Sequence, residues 1–216
     1  MNTRALVFDL GGVLIDYRGA EALHDLSGGR IDQDRFVRFW SDAQCARDLH
    51  AGQCTAEEFA RQAVRELGLN ITSEHFLSNF QTWLHGFYAG ARELLERLRP
   101  QYRVACLSNT NAYDVRRLDE QLELPKWFDA CFYSNEIGLR KPDPRAYLHV
   151  SHALEVPPSE IVFFDDNLDN VNGAIAAGMH AHQCLGFGEL VISLHRLGIL
   201  SGQSNPLMEQ SRLRGW

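Results

Sequence analysis

Lysine is almost missing from this chain. Of its 21 cations, Lys126 and Lys141 are the two lysines and the rest are arginine, so a lysine here says more than a generic surface charge would. Cysteine occurs five times (Cys45, Cys54, Cys106, Cys131, Cys184), in odd number and never as C-x-x-C. That argues against a disulfide framework and a structural zinc site, and suits a reducing, cytoplasmic compartment. Long apolar runs are absent: none approaches the roughly 20 residues that span a bilayer, and no leader pattern precedes the apolar stretch that begins at Ala5. Neither a membrane span nor a secretory signal is expected. Positive charge is in deficit, 21 Lys+Arg against 28 Asp+Glu giving −7, which repels a phosphate backbone and excludes nucleic acid as an expected partner. An anionic small substrate remains admissible where local cations or a metal overcome that background. Repeats, low-complexity tracts and charge blocks are missing too.

What is present is an ordinary globular composition, 45% hydrophobic and 23% charged, which excludes disordered, collagen-like and membrane chains. A length of 216 residues fits one domain, or one domain with an insertion. Short apolar runs recur at Ala5–Phe8, Val104–Leu107, Ala130–Tyr133, Ile161–Phe164 and, more weakly, His180–Leu185; they read as buried parallel strands. Helical periodicity fills the intervals at Ala91–Leu98, Asp114–Leu124, Arg145–Leu154 and Asp169–Ala177. This alternation predicts an α/β fold with a doubly wound parallel sheet and right-handed crossovers. Residues 18–88 break it, with no convincing strand and several helix starts. Thr55 and Glu58 form a capping box, Ser73 plays a similar part before Phe76 and Phe80, and Gly68 ends a helix between them. Asp16 reads as the cap of the first of these helices. The expected organisation is therefore an α/β core of residues 1–17 and 89–200, an all-helical insertion at 18–88, and a partly irregular tail at 201–216. Gly186-Phe187-Gly188 lacks both a third glycine and a helix start signal, so it is no dinucleotide fingerprint.

Ligands of open parallel sheets sit at the carboxyl ends of the strands. Here those ends carry Asp9, Ser108-Asn109 and Asp165-Asp166. Several carboxylates converging on one crevice repel one another unless a cation lies between them, and oxygen donors favour a hard divalent ion, Mg²⁺ above all. Lys141-Pro142-Asp143-Pro144 precedes a helix that Pro144 can open. A lysine near a metal and a hydroxyl neutralises phosphoryl oxygens, as phosphoryl transfer requires.

The stretches VFDLGGVLID, LSNTN, RKPDP and FFDDNLDN, in this order and spacing, resemble the four motifs of the haloacid dehalogenase-like superfamily, over about residues 4–185. The first two are similar to those of glucose-1-phosphatase-type enzymes and of epoxide-hydrolase-associated phosphatase domains, and the helical insertion resembles the superfamily's cap. The resemblance implies a Rossmann-like core and a Mg²⁺-dependent phosphatase acting on a small phosphorylated metabolite. It makes Asp9 the nucleophile that forms an aspartyl-phosphate, Ser108 and Asn109 the cradle for the phosphoryl oxygens, and Lys141 the neutralising cation. Mg²⁺ would be held by Asp9, the Gly11 carbonyl and Asp166, with Asp165 behind them or as an additional ligand. Asn170 stands where the family often has an acid that orients the lysine. Gly11 is the departure: the phosphatase pattern places a general acid there, and help of that kind is worth about 10²–10⁴ in rate. Leaving groups that need little protonation, such as those of sugar 1-phosphates, suit such a site. Arg47 and His50, just before the Thr55 capping box, are candidates for substrate contact from the insertion. A haloacid dehalogenase-type hydrolase and an impaired relative that binds a ligand or a protein are the alternatives, and the oligomeric state is open.

Overall fold

The computed structural model describes residues 2–201; all but the first residue of the expected tail lies outside that range. Five parallel strands form the main sheet: β1 (Ala5–Phe8), β4 (Arg103–Ser108), β5 (Ala130–Tyr133), β6 (Ile161–Asp165) and β7 (His180–Gln183), in the order β5-β4-β1-β6-β7. Alternation of side chains explains why both faces are covered. Leu6, Phe8, Val104, Cys106, Val162 and Phe164 face one layer, built from α6 (Ala91–Leu98), α7 (Ala112–Glu120) and α11 (Phe187–Arg196). Ala5, Val7, Ala105, Leu107, Ile161 and Phe163 face the other, built chiefly from α9 (Pro144–Leu154) and α10 (Leu168–Ala176). The result is the expected doubly wound α/β sheet in three layers. Among the described residues no helix is long and apolar enough to cross a membrane.

Between β2 (Ile15–Tyr17) and β3 (Leu84–Phe87) lie five helices: α1 (Gly19–Leu26), α2 (Gln33–Asp42), α3 (Gln44–His50), α4 (Ala56–Leu67) and α5 (Ser73–Phe80). They share a separate apolar cluster that includes Leu23, Phe39, Phe59, Phe76 and Trp83. The Thr55–Glu58 capping box forms with both of its hydrogen bonds, and Gly68 ends α4 at φ 65°.

Several local expectations are corrected. Residues 18–88 do contain a strand: β3 pairs antiparallel with β2, Ile15 opposite Phe87. Thr72, not Ser73, caps α5 and accepts the His75 N–H at 3.2 Å. Asp16 caps nothing; it lies in β2 and takes a two-pronged hydrogen bond from Arg18, while α1 starts without a side-chain cap. A helix does begin at Phe187, behind Gly186. Glycine offers no side chain to signal it, and Glu189 instead accepts the Leu185 N–H at 2.8 Å.

Trp83 sits where α5 gives way to β3. It is 1% exposed, packs edge-on to Phe80 at 5.0 Å and Phe76 at 5.9 Å, and its indole donates to Asn79 at 2.7 Å. Truncating such a side chain removes buried area and leaves a cavity. Trp83→Ala is expected to lower the unfolding free energy by about 3–5 kcal/mol in urea titration; a loss below about 1 kcal/mol would show that this cluster does not stabilise the fold.

Candidate active site

The three chemistry-bearing strand ends lie side by side because β1 is hydrogen-bonded to β4 on one side and to β6 on the other. Asp9 directly follows β1. Its N–H donates to the Phe164 carbonyl at 2.8 Å, extending the ladder one residue and fixing the direction in which the carboxylate leaves the sheet. The chain then turns sharply, the Leu10 carbonyl accepting the N–H groups of Leu14 and Ile15 at 2.9 and 2.8 Å. Gly12 has φ 74°, and a Cβ built there would lie 2.6 Å from Asp166 Oδ2. Only glycine meets both the backbone angle and the close approach.

Lys141 is the centre of the arrangement. Its side chain is 1% exposed, with Nζ 2.8 Å from Asp9 Oδ1 and 2.6 Å from Asp165 Oδ2. Burial alone would lower its pKa, but Asp165 and Asp9 outweigh it and hold the ammonium charged. Asp165, fully buried, is held in turn: Oδ1 accepts the Asn167 N–H at 2.8 Å, and the Asn170 amide donates to Oδ1 and Oδ2 at 3.0 and 3.2 Å. Asn170 therefore reaches the lysine through Asp165 rather than directly.

Asp9, Asp165 and Asp166 bring one carboxylate oxygen each within 4.8 Å of one another. Burial, with Asp165 adding repulsion against the attraction of Lys141, pushes Asp9 up to about 6. Burial followed by repulsion from Asp9 and Asp165 pushes Asp166 up to about 7. Both carboxylates resist ionising together, which is the electrostatic signature of a site that a cation completes. The donors are all oxygen, so a hard divalent ion fits. Asp9 and Asp166 could hold it, since the oxygens of Asp165 are already engaged by Lys141, Asn167 and Asn170.

Ser108 is buried at the end of β4, and its hydroxyl makes no side-chain hydrogen bond among the described residues. The Asn109 side chain is turned to the lysine's backbone: its Oδ1 accepts the Lys141 N–H at 2.8 Å and one N–H of its Nδ2 donates to the Lys141 carbonyl at 2.9 Å. It clamps the backbone that carries the lysine. The Arg47 guanidinium donates to the Ser41 and Asp42 carbonyls at the end of α2 and to Gln44 Oε1 at the start of α3. His50 does face the core. Its carbonyl accepts the Ser134 hydroxyl at 2.8 Å, its ring stacks on Trp40 at 5.0 Å, and burial together with Arg140 and Lys141 pushes its pKa down to about 3. Ser134 was missed at the level of sequence. Fully buried, it joins the two parts of the chain by accepting the Thr110 N–H at 3.0 Å while donating to His50.

Residues 3–178 match the model of the haloacid dehalogenase-like hydrolase family. The chain belongs to that family and is a hydrolase. A phosphatase of Mycobacterium tuberculosis is 32% identical over 190 residues, 84% of this chain and 87% of the relative. The D-ribitol-5-phosphate phosphatase of Bacteroides thetaiotaomicron is 29% identical over 189 residues, 82% of this chain and 90% of the relative. (S)-2-haloacid dehalogenases match as well. A family enzyme of Bacteroides thetaiotaomicron, solved with magnesium and inorganic phosphate, superposes with a TM-score of 0.67 at 23% identity, covering 84% of this chain and 93% of that one, and so shares the fold.

The raised acids set a pH dependence for metal binding. In the metal-free protein the folded state holds protons on Asp9 and Asp166 that the unfolded chain gives up near 3.8. Their contribution to stability therefore falls as pH rises through about 4 to 7, and a divalent ion that binds the ionised pair offsets that loss. The gain in melting temperature from saturating Mg²⁺ should be larger at pH 8 than at pH 5 and should disappear in Asp166→Asn. An equal gain at both pH values would place the ion elsewhere. Comparing melts with and without Mg²⁺ at each pH cancels groups that do not touch the carboxylates, such as His50, whose lowered pKa acts in the opposite direction.

Proposed function

We propose that this hydrolase is a Mg²⁺-dependent phosphomonoesterase that acts on a small phosphorylated metabolite through covalent catalysis by Asp9. The observation that carries the reading is the placement of one carboxylate, Asp9, against both the buried Lys141 ammonium and the Asp166 carboxylate, at the strand end next to Ser108. A nucleophile so placed is kept ionised by the lysine and by a bound cation. Mg²⁺, when bound, supplies charge that draws in and neutralises the phosphoryl group.

The Asp9 oxygen attacks phosphorus as the ester P–O bond breaks, and the leaving oxygen takes a proton from solvent. Water then attacks the same phosphorus and gives up a proton to solvent, the bond from phosphorus to the Asp9 oxygen breaks, and inorganic phosphate leaves with Asp9 restored. Lys141 and the Ser108 hydroxyl bind phosphoryl oxygens. Asn109 and Asp165 position the lysine, through its backbone and its ammonium respectively. Residues 18–88 act as a cap over the crevice, joined to the core at 1–17 and 89–200 through the β2–β3 ribbon. A dehalogenase reading is disfavoured by Asp166, whose charge would repel the nucleophile and serve no purpose in attack on carbon.

With glycine at position 11 the chain has no carboxyl where the family's phosphatases place one. An anomeric sugar phosphate, whose leaving group departs with little protonation, suits such a site. The phosphatase relatives, one named for a sugar-alcohol phosphate, support a small phosphorylated metabolite as the substrate, whereas the anomeric leaving group is argued from Gly11 alone.

Asp9→Asn is expected to reduce hydrolysis of p-nitrophenyl phosphate and of the best metabolite to background, with the melting temperature retained. Activity above a few per cent of wild type would rule out covalent catalysis by Asp9. Gly11→Asp tests the departure. A Cβ built on Gly11 meets Tyr17 Cβ at 3.5 Å, an ordinary contact, and its φ is not among the positive ones, so the position accepts the side chain. The variant should raise kcat about ten- to a hundredfold for alkyl phosphates and little for p-nitrophenyl phosphate. Unchanged relative rates would show that protonation of the leaving group is already supplied by another residue.

A further inference from the structure

Arg140 directly precedes Lys141, yet the two cations are treated very differently by their surroundings. Lys141 is matched by two carboxylates. Arg140 is half-buried, its side chain makes no ion pair or hydrogen bond among the described residues, and its Nε is buried without a partner. Burial, reinforced by the nearby charge of Arg47, pulls its pKa below the usual arginine value. Arg47 cannot serve as a partner, being itself a cation.

A guanidinium that has lost solvation, stands among cations and meets no carboxylate is costly unless something completes it. The groups beside it are unsatisfied as well. His50, 9% exposed, has a buried Nδ1 with no partner, and its ring lies close enough to Arg140 and Lys141 for both to depress its pKa. The Trp40 indole stacked on that ring also has an unpartnered, buried Nε1. His50 lies at the seam where α3 docks on the core through Ser134, whose hydroxyl bridges His50 and Thr110, two residues beyond Ser108, and Trp40 stacks on it from the aromatic cluster of the helical insertion. Unpartnered nitrogens thus lie near Lys141, in a chain that is acidic overall.

We propose that Arg140, together with His50 and Trp40, forms a subsite for a second oxyanion, a carboxylate or a further phosphate, carried by the leaving group of the substrate. The inference rests on the phosphatase reading and narrows it: the metabolite is a phosphate monoester with an acidic tail, and a sugar acid phosphate or a bisphosphate meets both requirements. Arg140 binds the tail as a charge-assisted donor, His50 gives a directional hydrogen bond, and the tail neutralises the buried guanidinium. Binding is then coupled to correct placement of the ester at Asp9.

The test is binding rather than turnover, with non-hydrolysable phosphonates titrated by calorimetry in the presence of Mg²⁺. Matched series from ethane to butane would carry a methyl, a carboxylate or a second phosphonate at the far end. In the wild type the best acidic-tailed phosphonate should bind about tenfold or more tighter than its methyl-ended counterpart. Arg140→Gln should erase the difference, and Arg140→Lys should keep part of it. The tighter of the carboxylate and bisphosphonate arms identifies the tail. Equal binding of acidic and methyl-ended ligands by the wild type overturns the subsite, as does a preference that survives Arg140→Gln. The wild-type comparison decides even if Arg140→Gln does not fold. Failure of every phosphonate to bind would instead overturn the phosphatase reading on which the subsite rests.

Discussion

The buried ammonium of Lys141 is the constraint around which the site is organised. A lysine at 1% exposure is unfavourable without compensation, and here it is compensated twice, by Asp9 and by Asp165. Each partner belongs to a different strand end, so the lysine ties β1 to β6 at the level where chemistry takes place. The same charge keeps Asp9 from rising further than it does under burial and repulsion. Asp166 receives less of this help and is left with the greater need for a cation. Asn109, Asn167 and Asn170 add no charge; they fix the lysine backbone and the Asp165 carboxylate with neutral hydrogen bonds. Removing the lysine would leave carboxylates facing one another with nothing but a metal between them.

The fold was legible where apolar runs end in a chemical residue. β1, β4, β5 and β6 were recognisable because each is a short, nearly continuous apolar stretch, and the acids that end β1 and β6 stood out against that background. β3 was hidden because Leu-His-Gly-Phe is short, half polar and paired only with the three-residue β2. The start of α11 was hidden behind a glycine cap.

At the site, residue identities were legible while some of their tasks were not. Asp9, Ser108, Lys141, Asp165 and Asp166 come together as the motif spacing implies. The work of Asn109 depends on a partner 32 residues away, a separation over which local pattern carries no information. Arg47 and His50 are neighbours on one short helix, and only packing decides that Arg47 turns back to the end of α2 while His50 turns toward the core. Arg140 went unnoticed because a cation beside a motif lysine looks like ordinary surface charge until its lack of partners is seen.

The central claim is that Asp9 carries the phosphoryl group. Borohydride added during turnover of a phosphate ester with Mg²⁺ reduces an acyl phosphate to an alcohol and leaves ordinary carboxylates untouched. Peptide mapping by mass spectrometry should then find the reduced side chain at position 9, and not at 165 or 166, in a yield that depends on substrate. Reduction at Asp166, or none at any of the three acids under conditions where hydrolysis proceeds, would contradict the account.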